Sequence, residues 1–323
     1  MLRKTLSLLA AAAAVAFGAT ATAQDNFPSK PIRMIVVYPA GGGADILART
    51  LGDAMNKITG QPMVVDNRGG ANGMIGASAC KNAAPDGYTY CMVLSDVVTI
   101  NQFIHKSVPY DVEKDFAPVA SVAAAPAVIV VNSAVPATNL KELAAYTQGN
   151  KGKANWASYG VGSASHILME YLNKSSNSAF THVPYSGAPQ AINAFLSQEA
   201  AAGISAYGLV AQHLASGKVK AVGIFGEKRM AQLPNVPTAV EQGVNFPTTL
   251  WYGVFAPSAT PKATVEKMSE LIIKSMADPA FVKLLDTFGL TPLGERPAVF
   301  GQRVTRDIGV WGPVAKSLNL GLE

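Results

Sequence analysis

Metal ligands and charges are both scarce in this 323-residue chain. It has two cysteines, Cys80 and Cys91, and four histidines, His105, His166, His182 and His213. Scattered in this way they offer none of the ligand spacings of a zinc or iron–sulfur centre, so neither a metal nor a cofactor is expected. Lys, Arg, Asp and Glu make up 15% of the chain, against about 25% in an average globular protein. The formal net charge is +5, but neither sign forms a run and no basic block is interleaved with aromatics, which excludes a nucleic-acid partner. The apolar run Leu6 to Phe17 is too short for a membrane span of roughly 20 residues, and nothing later in the chain is long enough. Catalytic signatures are missing too. There is no G-x-x-x-x-G-K-[ST], no G-x-G-x-x-G followed by an acidic residue, and no G-x-S-x-G.

Present at the start is a secretory signal pattern. Arg3 and Lys4 precede the apolar run, and Ala21-Thr22-Ala23 supplies an A-x-A-like cleavage site, so residues 1–23 are expected to be removed and Gln24 to become the first residue. Export to an oxidising compartment, with Cys80 and Cys91 separated by the turn Ala84-Pro85-Asp86-Gly87, predicts a disulfide that clips a helix end to the next strand. About 300 residues remain, more than one core usually supports, and two domains are expected.

The most informative stretch is Tyr38-Pro39-Ala40-Gly41-Gly42-Gly43-Ala44-Asp45, which joins an apolar run (Ile32 to Val37) to an amphipathic one (Ile46 to Ile58). It reads as a strand ending in glycines and opening a helix. Three consecutive glycines leave no β-carbons over the first amides of that helix, which lack intrahelical partners and lie at its positive dipole end. Two readings stay open here: a cradle for an anion, whether carboxylate or phosphate, and a bare strand-to-helix turn.

The same logic recurs along the chain. Met63 to Val65 is a short strand followed by Asp66-Asn67-Arg68-Gly69-Gly70-Ala71-Asn72-Gly73 and a helix from Met74 to Lys81. Tyr88 to Leu94 is a strand that stops at the polar pair Ser95-Asp96. The apolar run Val119 to Val131 reads as a first crossing into a second domain. There Asn155 to Tyr159 is a strand, Gly160 to Ser165 a loop, and His166 to Leu172 a helix capped by Ser165. Phe180 to Val183, the loop Pro184 to Pro189 and the helix Gln190 to Gln198 repeat the pattern, followed by strands Ala201 to Ser205 and Val219 to Phe225 around a helix near Leu209 to Ser216. Leu250 to Ala256 is a strand returning to the first domain, and helices Lys262 to Met276, Pro279 to Phe288 and Pro297 to Ala315 close the chain, with Trp311 in the core. Alternating strands and helices define an α/β protein with mainly parallel sheets. Two such domains joined by two crossings, with glycine loops at the carboxyl ends of their strands, make a cleft that can close around an anion.

The candidate ligand-binding residues are Tyr38, Gly41, Gly42, Gly43, Asp45, Ser95, Asp96, Tyr159, Gly160, Gly162, Ser163, His166, Tyr185, Ser186, Gly187, Ala188 and Ser205. Ser95, Ser163 and Ser186 are hydroxyl donors in matching loops. Asp45 would repel an anion directly, so it is expected to cap its own helix or to hold a water that bridges to the ligand. A hydrolase using Ser163 or Ser165 beside His166 is the competing class, but no set of nucleophile, base and orienting group is present, and no catalytic residue is assigned.

Six motifs in register resemble one family. The Tyr38 to Arg49 stretch is similar to the opening signature of the tripartite tricarboxylate transporter receptors, also called Bug proteins. Val65 to Gly73, Pro85-Asp86-Gly87-Tyr88-Thr89, Tyr159 to Ser163, His182 to Gly187 and Trp251-Tyr252-Gly253-Val254-Phe255-Ala256-Pro257 follow in the family's order. One departure is Gln198-Glu199, where many relatives carry a glycine pair. The resemblance implies a two-domain periplasmic binding protein of the Venus-flytrap type (type II-like), with residues 24–122 and 247–323 as one domain and 123–246 as the other. It implies that the loops Tyr38 to Asp45 and Tyr159 to Ser163 hold a ligand carboxylate, partly through water, while Tyr185 to Pro189 closes over it. The implied role is that of a monomeric periplasmic receptor for a small organic carboxylate, delivering it to the large and small integral membrane subunits of a secondary carrier. Citrate-like and C4 dicarboxylates, aromatic dicarboxylates and amino acid-like carboxylates would all suit the same backbone donors. The alternative is a sensor whose closed form is read by a sensor kinase.

Overall fold

A computed structural model describes residues 27–245 and 249–322. The signal segment with its cleavage site, and the expected domain boundary between residues 246 and 247, lie outside the described residues. Strands β1 (Ile32–Val36), β2 (Met63–Asn67), β3 (Thr89–Leu94), β4 (Phe116–Ala125), β5 (Ala127–Asn132), β6 (Asn155–Ser158), β7 (Thr181–Pro184), β8 (Ala202–Ser205), β9 (Val219–Phe225), β10 (Leu250–Pro257) and β11 (Thr291–Pro292) form two sheets. The first has six strands in the order β11-β4-β10-β3-β1-β2, and the second has five in the order β7-β6-β8-β5-β9.

Each sheet is parallel on one side and antiparallel on the other. β1 runs parallel to β2 and β3, and β6 parallel to β7 and β8. The antiparallel half comes from the strands on either side of the two crossings: β4 and β10 in the first sheet, β5 and β9 in the second. The run expected as one crossing from Val119 to Val131 is therefore two strands, one in each sheet, divided at Pro126. Proline has no amide to donate to a ladder, which is why the apolar run does not continue as one strand.

Helices cover the sheets where the apolar spacing predicts them. The Gly43–Thr59 helix buries Leu47, Ala48, Leu51 and Met55 and ends at Gly60 in the left-handed conformation (φ 69°). Met74–Lys81, Pro279–Phe288 and β9 match their expected limits. Most other elements shift by one to three residues at an end. In the first sheet unit Trp251, Phe255 and Phe300 are fully buried, with Trp251 and Phe300 edge to face at 5.0 Å. In the second, Trp156 packs edge to face on Phe180 at 4.9 Å. Trp311 is buried in the core as expected, at 1% exposure. Cys80, at the end of its helix, is bonded to Cys91 in β3.

Candidate functional site

A cleft of about 730 Å³ is lined mostly by residues that follow the carboxyl ends of parallel strands. Tyr38 follows β1, Gly69 to Gly73 follow β2, Leu94 ends β3, Tyr159 to Val161 follow β6, Tyr185 to Pro189 follow β7 and Ala206 follows β8. In a parallel sheet the loops at this edge carry free helix N-termini, so ligands collect there.

The opening glycine loop is built around Asp45. This carboxylate is 5% exposed, accepts the Gly41 amide at 3.0 Å and pairs with the Arg49 guanidinium at 2.9 Å. Burial alone would raise its pKa. The hydrogen bonds from Arg49 and the Gly41 amide outweigh burial and hold Asp45 below the usual carboxylate range. Asp45 thus fixes the turn, with Gly41 in the left-handed region (φ 81°), and turns the Gly41 amide away from the cleft. Gly42 is the N-cap and carries no side-chain cap. The amides of Gly42, Gly43 and Ala44, all three on the cleft wall, have no hydrogen-bond partner among the described residues. Beside them stands Tyr252 of β10, so close that a β-carbon on Gly43 would lie 2.7 Å from its hydroxyl.

The counterpart loop of the second unit is closed differently. Ser163, not Ser165, caps the Ala164–Ser175 helix, accepting from the His166 amide and donating to the Gly160 carbonyl at 2.7 Å. Ser165, the second residue of that helix, is buried and meets the Trp156 indole at 3.1 Å. His166 accepts the Gly162 amide at 3.1 Å and stacks on His182 with ring centroids 3.8 Å apart. The Ala164 amide is taken by Asp96, whose carboxylate reaches over from the first sheet unit at 2.9 Å. Asp96 also accepts from the Tyr38 hydroxyl at 2.9 Å and from the Val97 amide. Burial pushes its pKa up, the three hydrogen bonds pull it back, and it stands at about 6. A second link runs beside it, from the Asn72 amide group to the Gly162 carbonyl at 2.8 Å.

The third helix, Ala188–Leu196, starts at Gly187 with Pro189 in its first turn. No partner is present for the Gly187 and Ala188 amides among the described residues. Its loop meets the first one directly: a β-carbon on Gly187 would lie 3.3 Å from Pro39 Cγ, and one on Gly41 would lie 3.8 Å from Pro189 Cγ.

Of the residues expected at the site, Tyr38, Gly42, Gly43, Tyr159, Gly160, Tyr185, Ser186, Gly187 and Ala188 line the cleft together. Gly41, Asp45, Ser95, Asp96, Gly162, Ser163, His166 and Ser205 stand behind it. Ser95 accepts the Trp251 amide and Ser205 donates to the Ala206 carbonyl. The second glycine loop, Gly69 to Gly73, also lines the cleft, as do Leu94, Val161, Leu209 and Tyr252. The Gly69 to Gly73 loop, absent from the expected site residues, repeats the glycine-before-helix pattern of the first, the signal by which it could have been placed there. Tyr252 comes from a strand far along the chain, and no local pattern connects it to the loops.

Among the described residues no helix is long and apolar enough to cross a membrane. Two α/β units with a cleft between helix N-termini form the fold of a periplasmic binding protein, and solved proteins of this kind superimpose on the chain. The periplasmic binding protein BugD is 31% identical with a TM-score of 0.86, covering 92% of this chain and 100% of its own. MatC of Rhodopseudomonas palustris, solved with bound malate, is 30% identical with a TM-score of 0.84, covering 90% of this chain and all of its own. An R. palustris protein solved with adipate is 26% identical with a TM-score of 0.87, covering 92% and 100%. The profile of the tripartite tricarboxylate transporter family receptor matches residues 47–320, and the chain belongs to that family of periplasmic solute-binding proteins.

Proposed function

We propose that this protein is exported to the periplasm, captures a small organic carboxylate in the cleft and hands it to the large and small membrane subunits of a tripartite tricarboxylate-type carrier, without chemical change. The observation that carries the reading is the meeting of two helix N-termini, one from each sheet unit, with unpartnered amides at Gly42 to Ala44 and at Gly187 and Ala188. Together they supply convergent donors and two positive dipole ends to an anion held between the units. Malate in MatC and adipate in the second R. palustris protein support a carboxylate as that anion.

The domains in this reading are residues 24–122 with 247–323, and 123–246. The passage of the chain between sheets at Pro126, and again after β9, supports two crossings, with Ala123 to Ala125, which pair with β10, still in the first sheet. Ser163 and Asp45 act behind the ligand, as the cap of one cleft helix and the organiser of the other. The test is a thermal-shift screen of the purified mature protein with mono-, di- and tricarboxylates, since a ligand that binds only the folded protein raises its Tm by mass action. At least one carboxylate is expected to raise the Tm in a concentration-dependent way. A folded protein that no carboxylate shifts would overturn the proposal.

A further inference from the structure

Four tyrosines among the described residues line the cleft, and three of them direct their hydroxyls elsewhere. Tyr38 donates to the Asp96 carboxylate at 2.9 Å and Tyr159 to the Ile204 carbonyl at 2.5 Å. The Tyr185 hydroxyl lies beside the carboxylate of Glu199, a residue outside the cleft lining. Tyr252 is 8% exposed and has no partner for its hydroxyl among the described residues. Burial, and then the Asp96 charge, push its pKa up, so it stays a protonated donor. Asp96 does not take that proton donor, because its hydrogen bonds come from Tyr38, Val97 and Ala164. A buried tyrosine hydroxyl ordinarily finds a partner; this one faces a space where the chain supplies none.

The backbone brings that hydroxyl to the opening loop. Tyr252 pairs with Leu94 in β3, and on its other side the ladder between β10 and β4 slips between Tyr252 and Gly253, passing over Val122. Such a bulge bends and twists a strand pair locally and re-aims the side chains beside it. A β-carbon on Gly43 would lie 2.7 Å from the hydroxyl and 3.6 Å from the ring carbon that bears it, so the hydroxyl leads the ring toward the helix start. Any larger residue at 43 would press on it. The unpartnered amides of Gly42, Gly43 and Ala44 lie at the same helix start, so backbone and side-chain donors face one place.

The structure assigns Tyr252 as the side chain that completes the anion site: its hydroxyl donates to an oxygen of the ligand carboxylate held at the Gly42 to Ala44 amides, and Gly43 is the residue that admits it. The assignment rests on the carboxylate-receptor reading above and adds a side chain to its backbone donors. Amides at a helix start point along the helix axis. A carboxylate has about four lone-pair sites on its two oxygens, so a donor from a separate strand can meet one that those amides leave. No Lys, Arg, His, Asp or Glu is among the lining residues, and a neutral hydroxyl still makes a strong bond when its acceptor is charged. The contact concerns one carboxylate and is indifferent to whether the rest of the ligand carries another.

The experiment is calorimetric titration of the mature wild-type protein and of Tyr252→Phe with malate, adipate, citrate and benzoate. Tyr252→Phe is expected to weaken every probe that binds wild type by about tenfold or more, as loss of a hydrogen bond to a charged group does, because the contact is with the group the four share. Its ligand-free Tm should match or exceed that of wild type, since no hydrogen bond within the chain is lost. Unchanged affinity in Tyr252→Phe for any bound probe would overturn the assignment and leave the receptor reading standing. A wild type that binds none of the four would overturn the assignment too; the receptor reading would fall only if the wider carboxylate screen also failed. A second comparison needs no ligand. Gly43→Ala is expected to lower the Tm more in wild type than in Tyr252→Phe, where the crowding oxygen is gone. Equal effects in the two backgrounds would refute the placement of the hydroxyl against the helix start.

Discussion

Replacing Gly42 with valine separates a carboxylate cradle from a structural turn, because the backbone there does not require glycine. Gly42 sits at φ −83° and ψ 171°, an extended conformation open to β-branched residues. A β-carbon added there meets nothing nearer than the Pro39 carbonyl at 3.7 Å, an ordinary contact. Folding is therefore expected to survive: a gain of several tenths of a kcal/mol from the stiffer unfolded chain is offset by the poorer N-cap that valine makes, at about 0.5–1 kcal/mol. The isopropyl group would, however, stand over the Gly42 and Gly43 amides. Two hydrogen bonds to a carboxylate, at about 1.5–3 kcal/mol each, are worth at least a 100-fold change in Kd. With ligand at about 100 times the wild-type Kd, binding stabilises the native protein by about 2.7 kcal/mol, which falls to about 0.4 kcal/mol once Kd has risen 100-fold. At about 2–4 °C per kcal/mol, a ligand-induced Tm shift of about 5–10 °C shrinks to about 1 °C, while the ligand-free Tm holds. Differential scanning fluorimetry with and without a carboxylate that binds wild type makes the comparison. An undiminished shift in Gly42→Val would mean that the loop is only a turn.

Other parts of the structure make separate commitments. Asp96 has its native pKa raised to about 6 by burial, above the ordinary value of 3.8, so the native state holds its proton more tightly than the unfolded chain. Its contribution is complete below about pH 3.8 and is lost as pH rises through 6, about 3 kcal/mol in all by linkage. Urea titrations between pH 4 and 7 should show wild type losing stability relative to Asp96→Asn as pH rises, and parallel profiles would refute the assignment. Removing the Cys80–Cys91 bond with paired alanine substitutions should cost about 3 kcal/mol from loop closure, with dithiothreitol destabilising wild type and leaving the variant unchanged. Phe300→Ala opens a cavity against Trp251 and Phe255 and should cost about 3–5 kcal/mol by chemical denaturation, without changing carboxylate affinity.

Elements written as local patterns were legible in the chain; contacts between units were not. Apolar spacing, Gly60, Pro279 and the Ala84 to Gly87 turn each act within a few residues, and most of the helices and strands and the disulfide follow from them, whereas the Leu140–Gly149 helix and the Thr291–Pro292 strand went unread. Pro126 was equally local, and its missing amide divides the run read as the first crossing into two strands. Asp96 shows where such reading ends. As a polar residue at the end of an apolar strand it resembles a ligand group facing the cleft, and the Gly160 to Ser165 loop resembles a second free cradle matching the first. Folding brings the two together, and the apparent ligand residue fills the apparent cradle, at 2.9 Å from the Ala164 amide. Tyr252 is the converse case, a core-like tyrosine in an apolar strand that the sheet order carries to the mouth of the opening loop. Glycine loops that look alike in sequence are thus made unlike by partners far along the chain. Asp96, a residue that is not on the cleft wall, thus closes the Ala164 helix end to any ligand, while the helix ends at Gly42 and Gly187 stay open and meet through Pro39 and Pro189.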